Sequence, residues 1–444
     1  MDLSELADLD ALSARDMIRD GEINPIELTE ACLARIDEHE DAVRAWTYLD
    51  PDHALAQAQA LYEAQQTGAP LGPLHGIPIG IKDIFDTFDM PAENGSVLYR
   101  GRMPDRDSTA VAKLREAGAI ILGKTVTTEF ATHFPGKTRN PHNPAHTPGG
   151  SSSGSAAAVA CSMVPLAIGT QTNGSVIRPA SYCGTVGFKP TYGGISRAGV
   201  FKLSHILDHV GVFARTVGDA ALIAEALMGY DPRDTATRMT AKPALIDTAR
   251  EDPPLEPRLA FVKSPVWDLA DADVHDAFAE LVYVLGDAAR EEELPAPFDT
   301  VVDWHRWIMN ADLAQNLARE YAEGRDKLSA MLIERIEDGL TVRAVDYNRA
   351  RDWIAVLNDG LDVLFENYDA ILTPATTGEA PAGLENTGDP VFSTIWTFCG
   401  LPAITLPIFE GAHGLPIGAQ LVGPRGNDAR LLRTANWLAN RLAS

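Results

Sequence analysis

Hydrophobic residues near the start of the chain recur at helical spacing. Leu28, Cys32 and Ile36 fall on one helix face, and the Ala-rich stretch 54–65 contains no helix breaker. The pattern predicts a helical layer over residues 1–66 that packs on a larger body.

The pattern changes after this layer. Between residues 68 and 91, short β-branched runs alternate with Gly and Pro, which indicates strands and loops. A predicted helix over 108–117 then leads into the apolar strand 119–122. A helix followed by a buried strand favours an α/β fold.

The second half of the chain is more helical. A Pro- and charge-rich passage over 231–256 precedes amphipathic segments over 274–366. We expect one domain over residues 1–444, in which about 231–365 form a variable helical insertion that shapes the substrate side. Strand patterns then return at 370–372, 403–406 and 418–422, and a final helix is predicted at 429–442.

Composition and charge narrow the function classes. Of the 444 residues, 45% are hydrophobic and 22% are charged, which is typical of a globular protein. The net charge is −25, and a strongly negative surface repels phosphate polyanions and anionic lipid. We therefore expect no direct nucleic-acid partner and no membrane partner.

The cysteines and the N-terminus indicate a cellular compartment. The four cysteines lie far apart, without CxxC or Cys/His spacing, and are interpreted as free thiols of a reducing compartment. The N-terminus is acidic, unlike a signal peptide, and no apolar run is long enough to span a membrane. We expect a cytoplasmic protein.

Two short motifs are set aside. Residues 118–125 fit GxxxxGK[ST], but the four middle residues are themselves a predicted strand rather than an exposed phosphate loop. Residues 150–154 fit GxSxG and would make Ser152 a nucleophile. That motif normally follows a buried strand directly, whereas here a polar, Pro-rich segment precedes it.

Three other stretches carry a more specific signal. They are GIKD at 80–83, GGSSSGSAAAVA at 149–160 and GTQTNGSVIRPA at 169–180. Together they closely resemble the amidase signature family, in its malonamidase-like and general amidase branch. The resemblance implies a large mixed central β-sheet covered by helices on both faces. It also implies hydrolysis of a carboxylic amide, or a related carbamate or ureide C–N bond, through a serine acyl-enzyme.

The chemistry of such a site needs a base. A serine hydroxyl attacks an amide only if another group takes its proton and donors hold the oxyanion. No His lies in the three stretches, and a Lys whose pKa is lowered by burial can replace it, which makes Lys82 the candidate. By the resemblance, Ser175 is the nucleophile, and Ser151 follows a cis peptide bond and relays the proton to Lys82.

The resemblance also implies an oxyanion hole. Backbone N–H groups of Thr172, Asn173, Gly174 and Ser175 would supply it. The commonest family pattern has Asp and Gly where this chain has Gln171 and Asn173, and this departure disfavours a tRNA-dependent amidotransferase subunit.

Arg178 follows the predicted nucleophile by three positions. In the malonamidase-like branch the matching Arg meets a substrate carboxylate, which a guanidinium binds well. The alternative is a structural clamp that pairs with an acid or a carbonyl.

Four further residues are expected to orient the site rather than react: Asp83, Ser155, Thr170 and Asp208. The reaction requires no metal or organic cofactor. The expected partner is a small-molecule amide, and a homodimer is possible by the resemblance.

Three alternatives from other classes stay open. One is the glutamine-hydrolysing subunit of a tRNA-dependent amidotransferase. The second is an acyltransferase that uses an amine acceptor instead of water. The third is a non-enzymatic binding protein, which the presence of Lys82, Ser151 and Ser175 disfavours. The sequence does not identify the amide, because specificity is expected to come from 231–365.

Overall fold

The computed structural model describes residues 1–443 and contains one sheet of 11 strands. The strands are β1 (Trp46–Leu49), β2 (Pro78–Lys82), β3 (Ile120–Thr125), β4 (Leu166–Gln171), β5 (Val186–Lys189), β6 (His209–Ala214), β7 (Leu259–Val262), β8 (Ala289–Glu292), β9 (Ala370–Pro374), β10 (Ala403–Glu410) and β11 (Pro416–Val422). Their order across the sheet is β1-β3-β2-β4-β6-β5-β10-β11-β9-β7-β8.

Helices connect and cover these strands. They are α1 (Leu3–Ala7), α2 (Ala11–Asp20), α3 (Pro25–Val43), α4 (Pro51–Gln66), α5 (Thr109–Glu116), α6 (Ser153–Ala160), α7 (Ile177–Cys183), α8 (Val217–Leu227), α9 (Leu245–Arg250), α10 (Ala272–Leu285), α11 (Val301–Asn316), α12 (Ala318–Gly324), α13 (Ala330–Thr341), α14 (Ala344–Phe365), α15 (Val391–Phe398) and α16 (Asp428–Ala443). None of these helices is long and apolar enough to cross a membrane.

The sheet is mixed, as predicted. Strand β2 runs parallel to β3 and β4, β9 and β8 run parallel to β7, and the strands between β4 and β9 pair antiparallel. Both ends of the sheet hold strands that the hydrophobic pattern did not predict. Strand β1 comes from the N-terminal region, and β7 and β8 come from the segment expected to be a helical insertion.

Alternate residues of the buried strands pack on opposite faces. In β4, Leu166 and Ile168 join a core cluster that contains α8, whereas Ala167 joins a second cluster that contains α6. Because successive side chains of a strand point to opposite faces, this division places helices on both sides of the sheet. The predicted fold class is confirmed.

The centre of the sheet brings the three conspicuous stretches together. Strands β2 and β4 are parallel neighbours, with Ile81 opposite Ile168, so that their carboxyl ends lie at the same edge. Lys82 is the last residue of β2, and β4 ends at Gln171.

The two dismissed motifs lack the structure that they would need. Strand β3 spans Ile120–Thr125 and is entirely buried, so the GxxxxGK[ST] segment forms no exposed phosphate loop. Ser152 immediately precedes α6 and follows an irregular segment rather than a strand.

Candidate active site

Lys82 is entirely buried and is surrounded by hydroxyl groups. Its Nζ donates to Ser151 Oγ at 2.7 Å, to Thr170 Oγ1 at 2.9 Å and to Ser152 Oγ at 3.0 Å. Burial lowers the pKa of Lys82 well below its usual value, and nearby Asp208 opposes this shift. The site therefore favours a neutral amine, in which two N–H groups donate to Thr170 and Ser152 and the lone pair accepts from the Ser151 hydroxyl. We call Lys82, Ser151, Ser152 and Thr170 the hydroxyl cluster.

The loop before α6 delivers Ser151 to this amine. The Gly150–Ser151 peptide bond is cis, and Ser151 is almost fully buried. Gly149 has a φ of +79°, and a Cβ atom there would lie 2.8 Å from the Cα of Pro179. The residue at 149 must therefore be glycine, because both the backbone conformation and the available space exclude a side chain.

Ser175 lies in the turn between β4 and α7 and is half-buried. Its hydroxyl makes no hydrogen bond with any residue that the structure describes, and it faces a small pocket. The structure thus joins Lys82 directly to Ser151, whereas no hydrogen bond joins Ser151 to Ser175 within residues 1–443.

The backbone around Ser175 presents unused donors. The N–H groups of residues 172–175 make no hydrogen bond with any described acceptor, because the β4 ladder ends at Gln171 and α7 begins at Ile177. Four consecutive free N–H groups beside a serine can stabilise a developing oxyanion.

The side chain of Gln171 fixes the far end of this turn. Its Oε1 accepts from the N–H groups of Val176 at 2.8 Å and Ile177 at 3.0 Å. Its Nε2 donates to Thr397 Oγ1 at 2.9 Å. A carboxylate at position 171 could accept the two N–H bonds but could not donate to Thr397.

Carbonyl groups of the turn are held by residues that sequence reasoning missed. His305 Nε2 donates to the carbonyl of Thr172 at 2.9 Å, and burial lowers the pKa of His305 to about 4, so its ring is neutral. Thr397 donates to the carbonyl of Asn173. These partners lie on α11 and α15, far from the motif in sequence, and no local pattern marks them.

Arg178 is buried and only partly paired. One terminal nitrogen donates to the carbonyl of Gly150 at 2.7 Å and to Thr387 Oγ1 at 3.1 Å. Its Nε and its other terminal nitrogen have no partner among the described residues, and burial lowers the pKa of Arg178 to about 10. Arg178 therefore fixes the Gly150 carbonyl and also lines the pocket beside Ser175.

A second guanidinium lines the same pocket. Arg335 of α13 makes no hydrogen bond or ion pair with a described residue, and burial lowers its pKa. His133 lies there too, with its pKa lowered well below the usual value by burial. No Asp or Glu is among the described lining residues, and the free volume is about 20 Å³. We call this the guanidinium pocket.

With this geometry in place, comparison with known proteins identifies the family. The family model "Amidase" matches residues 27–432. The chain belongs to the amidase family. An enzyme that hydrolyses amides, as predicted, fits this membership.

The relatives of this amidase cover nearly its whole length. It is 34% identical to the glutamyl-tRNA(Gln) amidotransferase A subunit of Streptomyces coelicolor, over 97% of this chain and 95% of that protein. The corresponding protein of Acidothermus cellulolyticus is 35% identical, over 97% and 94%. These curated relatives are amidotransferase subunits rather than malonamidases.

Solved structures of the family superpose closely on this amidase. The native peptide amidase of Stenotrophomonas maltophilia aligns with a TM-score of 0.85 at 29% identity, covering 99% of this chain and 98% of that chain. An inhibitor-bound structure, described as a vestigial protein complex that reveals the origins of an s-triazine catabolic enzyme, aligns with a TM-score of 0.91 at 27% identity, over 97% and 98%.

Two of the four residues expected to support the amidase site touch its reactive part. Thr170 accepts a hydrogen bond from Lys82. Asp208 accepts from Thr172 Oγ1 at 2.7 Å, and also from the backbone N–H groups of Leu203 and Ser204. Both residues lie beside the turn formed by residues 172–175, which we call the oxyanion turn after the role expected for it.

The other two support the strands instead. Asp83 pairs with the buried Lys124 at 3.5 Å and accepts from the N–H of Glu93, which holds the loop after β2. Ser155 lies 2.7 Å from Thr125 Oγ1 and donates to the carbonyl of Ile168 at 3.0 Å. Neither bonds to the side chains of the hydroxyl cluster.

Proposed function

We propose that this amidase cleaves a small linear amide through a covalent acyl-enzyme on Ser175, with Ser151 and Lys82 as its proton relay. The observation that carries the proposal is the 2.7 Å hydrogen bond from a fully buried Lys82 to Ser151. A lysine kept neutral by burial has a lone pair that can accept a proton at ordinary pH.

The reaction proceeds in two balanced halves. Lys82 takes a proton from Ser175 through Ser151, the Ser175 oxygen bonds to the amide carbon, and the N–H groups of residues 172–175 bind the oxyanion. The C–N bond breaks as the proton passes back to the leaving nitrogen. Water then attacks the acyl carbon with the same relay. Substrate binding must bring Ser175 within hydrogen-bonding distance of Ser151.

The guanidinium pocket supports a carboxylate on the acyl half of the substrate. Arg178 and Arg335 present guanidinium nitrogens without a carboxylate partner among the described residues. Arg178 is buried and Arg335 is half-buried, and neither forms an ion pair with a described carboxylate, so a substrate carboxylate would gain charge-assisted hydrogen bonds from both. The small free volume favours a short chain between this carboxylate and the amide.

A fluorophosphonate label and a pair of substrates test the proposal. We expect the label on Ser175 after peptide mapping, and faster hydrolysis of malonamate, which carries a carboxylate, than of the neutral malonamide. Labelling at Ser152 would reject Ser175 as the nucleophile. Equal rates for the two amides would show that the pocket does not select a substrate carboxylate.

A second candidate is a glutamine-hydrolysing amidotransferase component, which the similarity to amidotransferase proteins from two bacteria favours. In that role the chain would work with partner subunits. The guanidinium pocket fits glutamine less well, because its described lining offers no acid for the α-ammonium group. Strong glutaminase activity, together with co-purification of partner subunits, would select this candidate.

We expect the amidase to act in the cytoplasm on a small molecule without contacting nucleic acid itself. The net charge of −25 supports the latter expectation. A homodimer stays a prediction from the family resemblance, and sedimentation of the purified chain would test it.

A further inference from the structure

A second, larger cavity borders the oxyanion turn at Thr172. Its free volume is about 430 Å³, and much of its wall is formed by residues 197–203, which give it its name here, the 197–203 cavity. Thr170, Thr172 and Asp208 complete the wall that faces the site. The proposed acyl-enzyme reaction gives this space no role so far.

The 197–203 cavity adjoins both parts of the site. Thr172 and Leu203 line it and also line the guanidinium pocket, so the two spaces meet at these residues. Thr170 lines the cavity while its hydroxyl accepts a hydrogen bond from Lys82. Thr170 therefore belongs both to the hydroxyl cluster and to the wall of the cavity.

The amine half and the acyl half of an amide must occupy different places in this site. The leaving nitrogen must lie near the proton relay, because it takes back the proton that Lys82 removed from Ser175. The acyl half must face the guanidiniums if it carries a carboxylate. The guanidinium pocket has a free volume of only about 20 Å³, so a bulky group fits only on the amine side.

We propose that the 197–203 cavity receives the amine half of an N-substituted amide, so that the natural substrate is a secondary amide that releases an organic amine rather than ammonia. This inference rests on the proposed function. The C–N bond breaks, the proton on Lys82 passes through Ser151 to the nitrogen, and the neutral amine leaves through the cavity.

The lining indicates an amine with an apolar body. Ile84, Val200 and Phe201 supply apolar contacts. Arg197 and Asp234 also line the cavity, but they form an ion pair with each other at 2.7 Å, which leaves the apolar side chains to contact the amine. Burial of apolar surface is favourable roughly in proportion to the area that is removed from water. An aryl-sized group therefore gains affinity that ammonia, which has no apolar surface, cannot.

Two substrates that share one acyl half test the inference. Malonamate and N-phenylmalonamate differ only in the amine, and we measure kcat/KM for each with the parent enzyme. We expect the anilide to be the better substrate. Hydrolysis of malonamate without hydrolysis of the anilide would overturn the inference and leave the proposed function intact.

Variants of the cavity sharpen this test. Thr235→Trp at the exposed rim and Val200→Phe in the wall should each lower the anilide-to-malonamate ratio of kcat/KM by about tenfold. Thr240→Trp, an exposed threonine outside the lining, is the matched control and should leave the ratio unchanged. An unchanged ratio in both cavity variants would overturn the inference.

A failure of the proposed function would look different. In that case neither substrate is turned over, and the fluorophosphonate does not label Ser175.

Discussion

The hydroxyl cluster and the guanidinium pocket are built in opposite ways. Every member of the hydroxyl cluster is buried, and Lys82 has a hydroxyl partner for each of the three N–H bonds of its charged form. In the guanidinium pocket, Arg178 is only partly paired and Arg335 has no partner among the described residues. The first region has its polar groups paired without substrate, whereas the second has no carboxylate in direct contact with its guanidiniums among the described residues, although Glu334 and Asp338 act on Arg335 from a longer distance.

The residues proposed for the reaction and the residues proposed for substrate selection therefore come largely from different elements. The hydroxyl cluster comes from β2, β4 and the loop before α6, which are neighbouring elements at the centre of the sheet. The guanidinium pocket draws on α7, α13 and the segment after β3, which are distant in sequence. Side chains on α13 and after β3 can change without touching the hydroxyl cluster, whereas Arg178 bonds to the carbonyl of Gly150 and its charge helps to lower the pKa of Lys82.

The largest expected effect comes from removing the nucleophile. Ser175→Ala should lower kcat for malonamate by ~10⁴-fold or more, because no acyl-enzyme can form. The control is Ser152→Ala, which removes one of the three hydroxyl groups around Lys82 but keeps Ser151 and Ser175, so it should lower kcat far less. Both rates are measured on folded protein, checked by circular dichroism. A Ser175→Ala enzyme that is as active as the control would contradict the assignment.

Removal of one guanidinium should separate binding from chemistry. Arg335→Gln should raise KM for malonamate by roughly 10–100-fold with kcat little changed, since a hydrogen bond to a charged group contributes about 1.5–3 kcal/mol. Arg178→Gln should also lower kcat, because Arg178 holds the carbonyl of Gly150. Steady-state kinetics with malonamide is the control, and its KM should not respond to Arg335→Gln. If KM for malonamide rises as much as KM for malonamate, Arg335 does not bind the substrate carboxylate.

The same contrast explains what the sequence alone can predict. Lys82, Ser151 and Ser175 stand in motifs whose residue types fit one chemistry, and the fold brings the first two together at 2.7 Å. Arg335 is flanked by Glu334, Glu337 and Asp338 and has the pattern of a solvated helix face. Its position against Ser175 depends on tertiary packing that no local pattern contains.

The missed strands have a similar explanation. Strand β8 is the polar run Ala-Arg-Glu-Glu at the edge of the sheet, so it lacks the hydrophobic pattern by which strands are recognised. Strand β7 is a four-residue apolar run that follows a Pro- and charge-rich passage. Pairing with neighbouring strands defines both of them more than their own residues do.

A substitution at Thr170 should shift the pH dependence of kcat/KM. Activity should fall as pH drops through the lowered pKa of Lys82, because protonation removes the lone pair. Thr170→Val deletes an acceptor for the ammonium form, which lowers the pKa further and moves the acid limb of kcat/KM to lower pH. Thr170→Ser should restore the parent profile. An acid limb that stays in place in Thr170→Val would show that Thr170 does not tune Lys82.

The smallest effect is expected at the outer support of the oxyanion turn. Thr397 donates to the carbonyl of Asn173 and accepts from Gln171 Nε2, so it ties the turn to α15 without touching substrate. Thr397→Val keeps the shape but leaves both groups unpaired, which should cost about 1–3 kcal/mol of folding stability in urea denaturation. The control is Thr394→Val, which removes a hydrogen bond to the Asn173 side chain and a longer one to the carbonyl of Pro390, and touches no backbone group of the turn.

A comparison of kcat between the two variants tests whether the reaction requires a rigid turn. If the free N–H groups of residues 172–175 act through a fixed geometry, Thr397→Val should lower kcat more than Thr394→Val does, by up to about tenfold, with KM unchanged. Equal kcat values in the two variants would mean that Gln171, through its bonds to Val176 and Ile177, and His305, through the carbonyl of Thr172, hold the turn without Thr397.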